Sequence, residues 1–174
     1  LLFKVLNTDS SDEILPSSKE ISLKLVLIYF VLTLICASAY KIFGMSFFDS
    51  LTHSMTTIAT GGFSNYNDSI GYFNNVKIEM TAMLFIILGS LPFIAYIKFL
   101  NGNKKVFTND TQVVTFIKVT IFSILVLLTY FFFKIGSLSL IDFRSVSFNS
   151  ISILTGTGYV TSQFDQWGSF SLFY

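Results

Sequence analysis

The residues best equipped for chemistry are Thr56-Thr57-Ile58-Ala59-Thr60-Gly61-Gly62-Phe63-Ser64, with a looser copy at Ile153-Leu154-Thr155-Gly156-Thr157-Gly158-Tyr159-Val160. Small residues and glycines beside long apolar runs imply a particular device. Successive backbone carbonyls turned toward one axis can replace the water around a cation. Glycine is needed because aligning neighbouring carbonyls requires backbone angles that a Cβ resists. Thr60, Thr155 and Thr157 are small and carry hydroxyls that can fix such a loop. Each copy follows a short segment that opens on Ser-x-x-Asp, Ser46 with Asp49 and Ser139 with Asp142, the pattern of a capped helix start. The partly negative C-terminal end of such a helix favours a cation. A lone Thr-Gly-Gly is usually a turn, and Gly156-Thr157-Gly158 lacks the third glycine and the preceding strand of a nucleotide loop. The weight comes from finding the whole arrangement twice.

The elements that must position these loops are apolar. The chain is 52% hydrophobic and only 12% charged, with 21 Phe and a mean hydropathy of +0.68. Soluble domains carry about 25% charged residues, so the composition implies a membrane protein. A net charge of +1 gives no reason to expect nucleic acid. The single Cys36 excludes an internal disulfide and a cysteine-based metal site.

Residues 1–20 are polar and read as an aqueous linker. Residues 21–43 form a first apolar run, with Lys24 and Lys41 near its ends where they can snorkel. Residues 46–58 are too short to span and too polar to face lipid, which suits a re-entrant helix. Phe47, Phe48, Leu51, Met55 and Ile58 mark its apolar face. A second span is expected over 78–100, kinked at Gly89, Ser90 and Pro92, where small residues permit close packing. A turn follows, and Asn109 with Gln112 is expected to cap a third span over 113–135. The pattern then repeats. Aligning Phe63 with Tyr159 places Gly62 on Gly158 and Ser54 on Ser150. From capping Ser to aromatic residue the spacing is 17 in the first copy and 20 in the second, a difference of about one helical turn.

The fold class expected is an all-α membrane protein of membrane-pore-membrane repeats, with three spanning helices and two re-entrant pore helices. Lys4, Lys19, Lys24, Lys98, Lys104, Lys105 and Lys118 fall on one side, against Lys41, Lys77, Lys134 and Arg144 on the other. The positive-inside rule therefore places residues 1–20 and 101–112 in the cytoplasm. His53, the only histidine, is expected to be a hydrogen-bonded structural residue, because no Cys or His cluster accompanies it. Asp49 and Asp142 are expected to be caps, and Glu79, Asp68 and Asp165 ordinary exposed carboxylates near the outer loops. No catalytic arrangement of nucleophile and base is found. The alternatives are a membrane-embedded enzyme or a non-conducting scaffold or sensor subunit.

The segments from Gly44 to Ser54 and from Thr57 to Ser64, continuing through Ser69-Ile70-Gly71-Tyr72-Phe73, closely resemble the second repeat of the TrkH potassium-uptake family. Thr155-Gly156-Thr157-Gly158-Tyr159 with Phe164-Asp165-Gln166-Trp167 resembles the third. The resemblance implies four membrane-pore-membrane repeats around one filter that passes K+, or Na+ in some members. It divides the chain into a linker (1–20), the second repeat (21–100), a cytoplasmic loop (101–112) and an incomplete third repeat (113–174). Gly62 and Gly158 match the key filter glycines, with Ala59, Thr60 and Gly61 completing one strand and Thr155, Gly156 and Thr157 the other. Their backbone carbonyls would hold K+ as the transported ion, and no cofactor is expected. The implied partners are the remaining repeats of a longer protein, a second copy in a homodimer, and a cytoplasmic nucleotide-binding subunit of the TrkA or KtrA kind. The implied location is the bacterial inner membrane. The chain is expected to be a fragment holding two of four filter strands and unable to conduct alone.

Overall fold

The computed structural model describes residues 18–135 and 139–162. Of the expected linker, only its last three residues fall within that range, and they already belong to a helix. Phe164, Asp165, Gln166 and Trp167 lie outside it. The described residues form helices α1 (Ser18–Ile42), α2 (Phe47–Ile58), α3 (Val76–Ser90), α4 (Phe93–Leu100), α5 (Val106–Asn109), α6 (Thr111–Ile135) and α7 (Leu140–Leu154). A 3-10 turn spans Ser69–Phe73. No strand is present among the described residues.

Helix α1 is 25 residues long, with Glu20 in its first turn and Lys41 in its last, each complementing the helix dipole. It stops at Gly44, whose φ of +111° admits the left-turning C-terminal motif. Met45 N–H donates to Tyr40 O and Gly44 N–H to Lys41 O, which satisfies the last carbonyls. Ser46 then caps α2 at once, accepting the Asp49 N–H at 3.0 Å. Four residues, Phe43 to Ser46, thus connect α1 to a short helix packed against it.

Helices α1 and α6 are each long and apolar enough to cross a membrane, with a mean hydropathy of 2.2. The second expected span, over 78–100, breaks where its kink was expected, but far more sharply than a kinked helix. Helices α3 and α4 meet at 84°. The physical reason is local: Leu91 is extended at ψ 147°, as a residue before proline tends to be, and Pro92 cannot donate to a continuing helix. Gly89 does permit close packing, as expected. A Cβ there would sit 2.6 Å from the Ile58 carbonyl, so α3 lies directly on the end of α2. The cap of α6 also differs from expectation. Asn109 ends α5, and Asp110 accepts the Gln112 N–H at 3.1 Å while pairing with Lys98. That pairing holds the Asp110 carboxyl below its usual range, the Lys98 hydrogen bond being the main cause.

The main core joins Cys36 and Tyr40 of α1, Ile58 of α2, Ile78, Ala82, Phe85 and Ile86 of α3, Phe148 and Ile151 of α7, and Tyr159 beyond it. The ends of both short helices are therefore buried in one apolar cluster. Lys24 Nζ donates to Asn101 Oδ1, and Asn75 Nδ2 to the Phe43 carbonyl. The start of α1 shares one end of the structure with the turn after α4, and the start of α3 shares the other with the end of α1.

Candidate functional site

Helix α2 is inverted with respect to hydrophobicity. Asp49, Ser50, His53, Ser54 and Thr57 are buried, while Phe47, Phe48 and Met55 are exposed. Helix α7 is inverted likewise at its start and on one face: Leu140, Ile141 and Phe143 are exposed, while Ser147, Asn149, Ser150 and Ser152 are buried together with Val146, Phe148 and Ile151. Buried hydroxyls normally need partners. Here the helix backbone supplies most of them: Ser50 donates to Phe47 O, Ser54 to Leu51 O, Thr57 to His53 O, Ser147 to Phe143 O and Ser150 to Val146 O. This back-bonding lets small polar residues pack closely without a polar counterpart on the facing element.

The two helix starts are not equal. At α7 the capping box is reciprocal, because Ser139 N–H also donates to the Asp142 carboxylate at 2.9 Å. At α2 the expected box is only half formed. The Asp49 carboxylate takes the Ser46 hydroxyl at 2.6 Å, as Asp142 takes that of Ser139, but adds the Tyr66 hydroxyl at 3.1 Å and Asn65 Nδ2 at 3.2 Å. It anchors the loop after the glycines as well as the helix. The Ser46 hydroxyl chiefly, with Asn65 and Tyr66, holds the Asp49 carboxyl below its usual range against the opposing effect of burial.

At the far ends of these helices the chain enters the glycine stretches. Positive φ recurs at every second residue, at Thr60 (+48°) and Gly62 (+63°) in one and Gly156 (+71°) and Gly158 (+81°) in the other. The positions correspond under the alignment of Phe63 with Tyr159. The stretches touch: a Cβ on Gly62 would lie 1.8 Å from the Thr157 carbonyl oxygen. Of Ala59, Thr60, Gly61 and Gly62, it is Gly62 that meets the second stretch, at Thr157 and Gly158.

Each short helix ties down the chain that leaves its own loop. His53 is fully buried, with Nδ1 2.8 Å from Asp49 O and Nε2 2.9 Å from Ser64 Oγ. It is the hydrogen-bonded structural residue expected. Its counterpart is Asn149, whose Nδ2 reaches Thr161 Oγ1 and Ser162 Oγ. Placing Ser54 on Ser150 puts His53 on Asn149, so the signal was present in the alignment. Beyond the loops, Gly71 N–H donates to Val160 O and Val160 N–H to Ser69 Oγ, joining the 3-10 turn to the second stretch. Gly62, Phe63, Tyr66, Asp68, Gly158 and Val160 line a cavity of ≈ 660 Å³ on this side.

Glu79 corrects a further expectation. It is buried in α3 and lies 2.9 Å from Nε of Arg144 on α7. Neither of the two atoms has an aligned hydrogen bond, so the contact is coulombic. Nothing local in the sequence pairs residues that far apart.

Two apolar spans, a sharply bent third segment and two buried short helices that end in touching glycine loops define an all-α membrane protein with re-entrant helices. The sequence matches the TrkH family, described as cation transport proteins, over residues 4–173. The chain belongs to that family. It is 35% identical to the Trk system potassium uptake protein TrkI of Halomonas elongata over 97% of its own length and 34% of that protein's. It is 33% identical to the Trk system potassium uptake protein TrkH of Escherichia coli over 89% of its length and 32% of that protein's. The crystal structure of the potassium transporter TrkH from Vibrio parahaemolyticus superposes with a TM-score of 0.83 at 30% identity, covering 91% of this chain and 35% of that one. The chain spans about a third of the length of these relatives.

Proposed function

We propose that this chain supplies two adjacent walls of a K+ filter in a potassium-uptake protein of the bacterial inner membrane. The observation that carries the reading is the matched alternation of φ. Positive φ at Thr60 and Gly62, and at Gly156 and Gly158, separated by residues of ordinary sign, turns successive carbonyls toward one side. Carbonyls so turned can replace a cation's hydration shell. Each stretch follows the C-terminal end of a short helix, where the dipole favours positive charge. The names of the relatives support K+ as the ion.

In this reading 21–100 and 113–174 belong to two membrane-pore-membrane repeats, with residues 1–20 and 101–112 on the cytoplasmic side. The other repeats of a longer protein complete the ring. A second copy and a cytoplasmic nucleotide-binding subunit are its partners, by resemblance to the family. The test is Gly62→Asp in the full-length protein, expressed in cells that lack K+ uptake. Rb+ uptake is expected to be lost with the protein still present in the membrane. Unchanged uptake and unchanged ion preference would remove the assigned role.

A further inference from the structure

Tyr159 follows the second glycine stretch, yet its hydroxyl lies in the first repeat. The side chain is buried at 1% exposure in the main core. Its Oη is in hydrogen-bond contact with Thr56 Oγ1 and lies 3.1 Å from the His53 carbonyl. Thr57 Oγ1 is 3.4 Å away and in turn meets the Tyr40 hydroxyl at 2.9 Å.

Proton accounting orders this cluster. A hydroxyl donates one proton. Thr57 donates to His53 O at 2.6 Å, its shortest contact. Thr56 donates to the Phe63 carbonyl at 2.9 Å, the shortest of its carbonyl contacts. Thr56 Oγ1 is then the acceptor toward Tyr159, whose one proton has both Thr56 Oγ1 and the His53 carbonyl within reach. The shorter contact, to Thr56, gives a relay from Tyr159 O–H through Thr56 O–H to Phe63 C=O. Phe63 follows Gly62 directly. A side chain of one stretch thereby fixes the carbonyl that closes the other, at the place where Gly62 touches Thr157.

The geometry points to Tyr159, acting through Thr56, as a positioning residue for ion selectivity that sets the two glycine stretches against each other across the repeat boundary. This rests on the filter reading above. A cavity that discriminates ions by its carbonyls depends on where they are held. Loss of the relay should loosen their placement while leaving the buried aromatic ring in the core.

The test uses the full-length protein and measures Rb+ uptake in competition with Na+. For Tyr159→Phe, Na+ is expected to inhibit at concentrations lower by about tenfold, the effect of losing roughly one buried hydrogen bond. Protein amount and maximal uptake should stay within about twofold of the parent on the same grounds, since ring burial is kept. Thr56→Val should reproduce the shift and Thr56→Ser should not. Combining Tyr159→Phe with Thr56→Val should be no worse than either alone, because both break one relay. An unchanged Rb+ preference in Tyr159→Phe and Thr56→Val, or full additivity of the pair, would overturn the assignment. If Tyr159→Phe fails to accumulate, the contrast between Thr56→Val and Thr56→Ser decides. Gly62→Asp separates the two levels. If it is silent, the filter reading fails and this inference with it. If it abolishes uptake while both relay variants keep the parent preference, only the role of Tyr159 falls.

Discussion

The two glycine stretches share a backbone pattern and differ in why they need glycine. At Gly62 both conformation and space forbid a side chain, since φ is +63° and the Thr157 carbonyl occupies the position of a Cβ. At Gly156 and Gly158 φ is +71° and +81°, but a Cβ at either would meet nothing within 4 Å among the described residues. The first stretch is closed against its neighbour. The second has no such contact at its own glycines among the described residues. At the position matching Gly156 the first stretch even carries Thr60 at φ +48°. A glycine in an aligned motif can thus mark a contact, a backbone angle or both, and only the contact is unforgiving.

That contrast can be broken most directly by alanine. Gly62→Ala in the full-length protein is expected to abolish Rb+ uptake, because neither backbone can retreat far enough to relieve the overlap. Gly158→Ala should retain measurable uptake, reduced about five- to thirtyfold, since a left-handed residue with a Cβ costs roughly 1–2 kcal/mol. Equal losses in the two variants would erase the distinction.

The next largest effect concerns the tie between repeats. Glu79→Gln leaves Arg144 without its charge partner at a mostly buried site. Breaking a buried pair costs about 3–5 kcal/mol, and the partial exposure of Arg144 (24%) lowers the expectation to roughly 2–3 kcal/mol. The readout is the melting temperature of the detergent-solubilised protein, and the double variant Glu79→Gln with Arg144→Gln should recover most of the loss. Absence of recovery would mean that the two groups act independently.

A smaller effect should come from exchanging the two loop ties. His53→Asn installs the residue that α7 uses at the matching place. It should be milder than His53→Ala, which leaves Ser64 without its buried partner at a cost of about 1–3 kcal/mol. Thermal stability and Rb+ uptake of the two variants check the order.

The smallest effect is pH dependence. The Asp49 carboxyl is held below its usual range, chiefly by the Ser46 hydroxyl and further by Asn65 and Tyr66. A depressed folded pKa contributes stability above the unfolded value, near 3.9, and that contribution is lost as pH falls through the folded one. Asp49→Asn should therefore be less stable than the parent at neutral pH and converge with it in acid. Asp142 is also held low, by Ser139 alone, at an exposed cap, so Asp142→Asn should show a weaker convergence. Melting curves from neutral to acid pH compare the two.

Much of this molecule is local and so was legible in the chain. The spans follow from apolar length, the short helices from Ser46 and Ser139 with their acids, and the break after Ser90 from Pro92. The repeat followed from matching Phe63 with Tyr159, and with it the equivalence of His53 and Asn149. Misreadings arose where neighbours compete for one role. Asp110 outcompetes Asn109 as a cap because it also meets Lys98. The bend between α3 and α4 is near a right angle because no helical hydrogen bond bridges Leu91 and Pro92.

What only the tertiary structure decided are the contacts between distant segments: Gly62 against Thr157, Tyr159 against Thr56, and Glu79 against Arg144. The sequence determined that glycines would permit unusual backbone, because that property belongs to the residue. Which glycine has no room is a property of two chains meeting. Which polar face turns inward is likewise decided by packing. The hydroxyls of α2 and α7 can bond to their own helix backbone, so their burial needs no complementary polar residue that a sequence pattern would reveal.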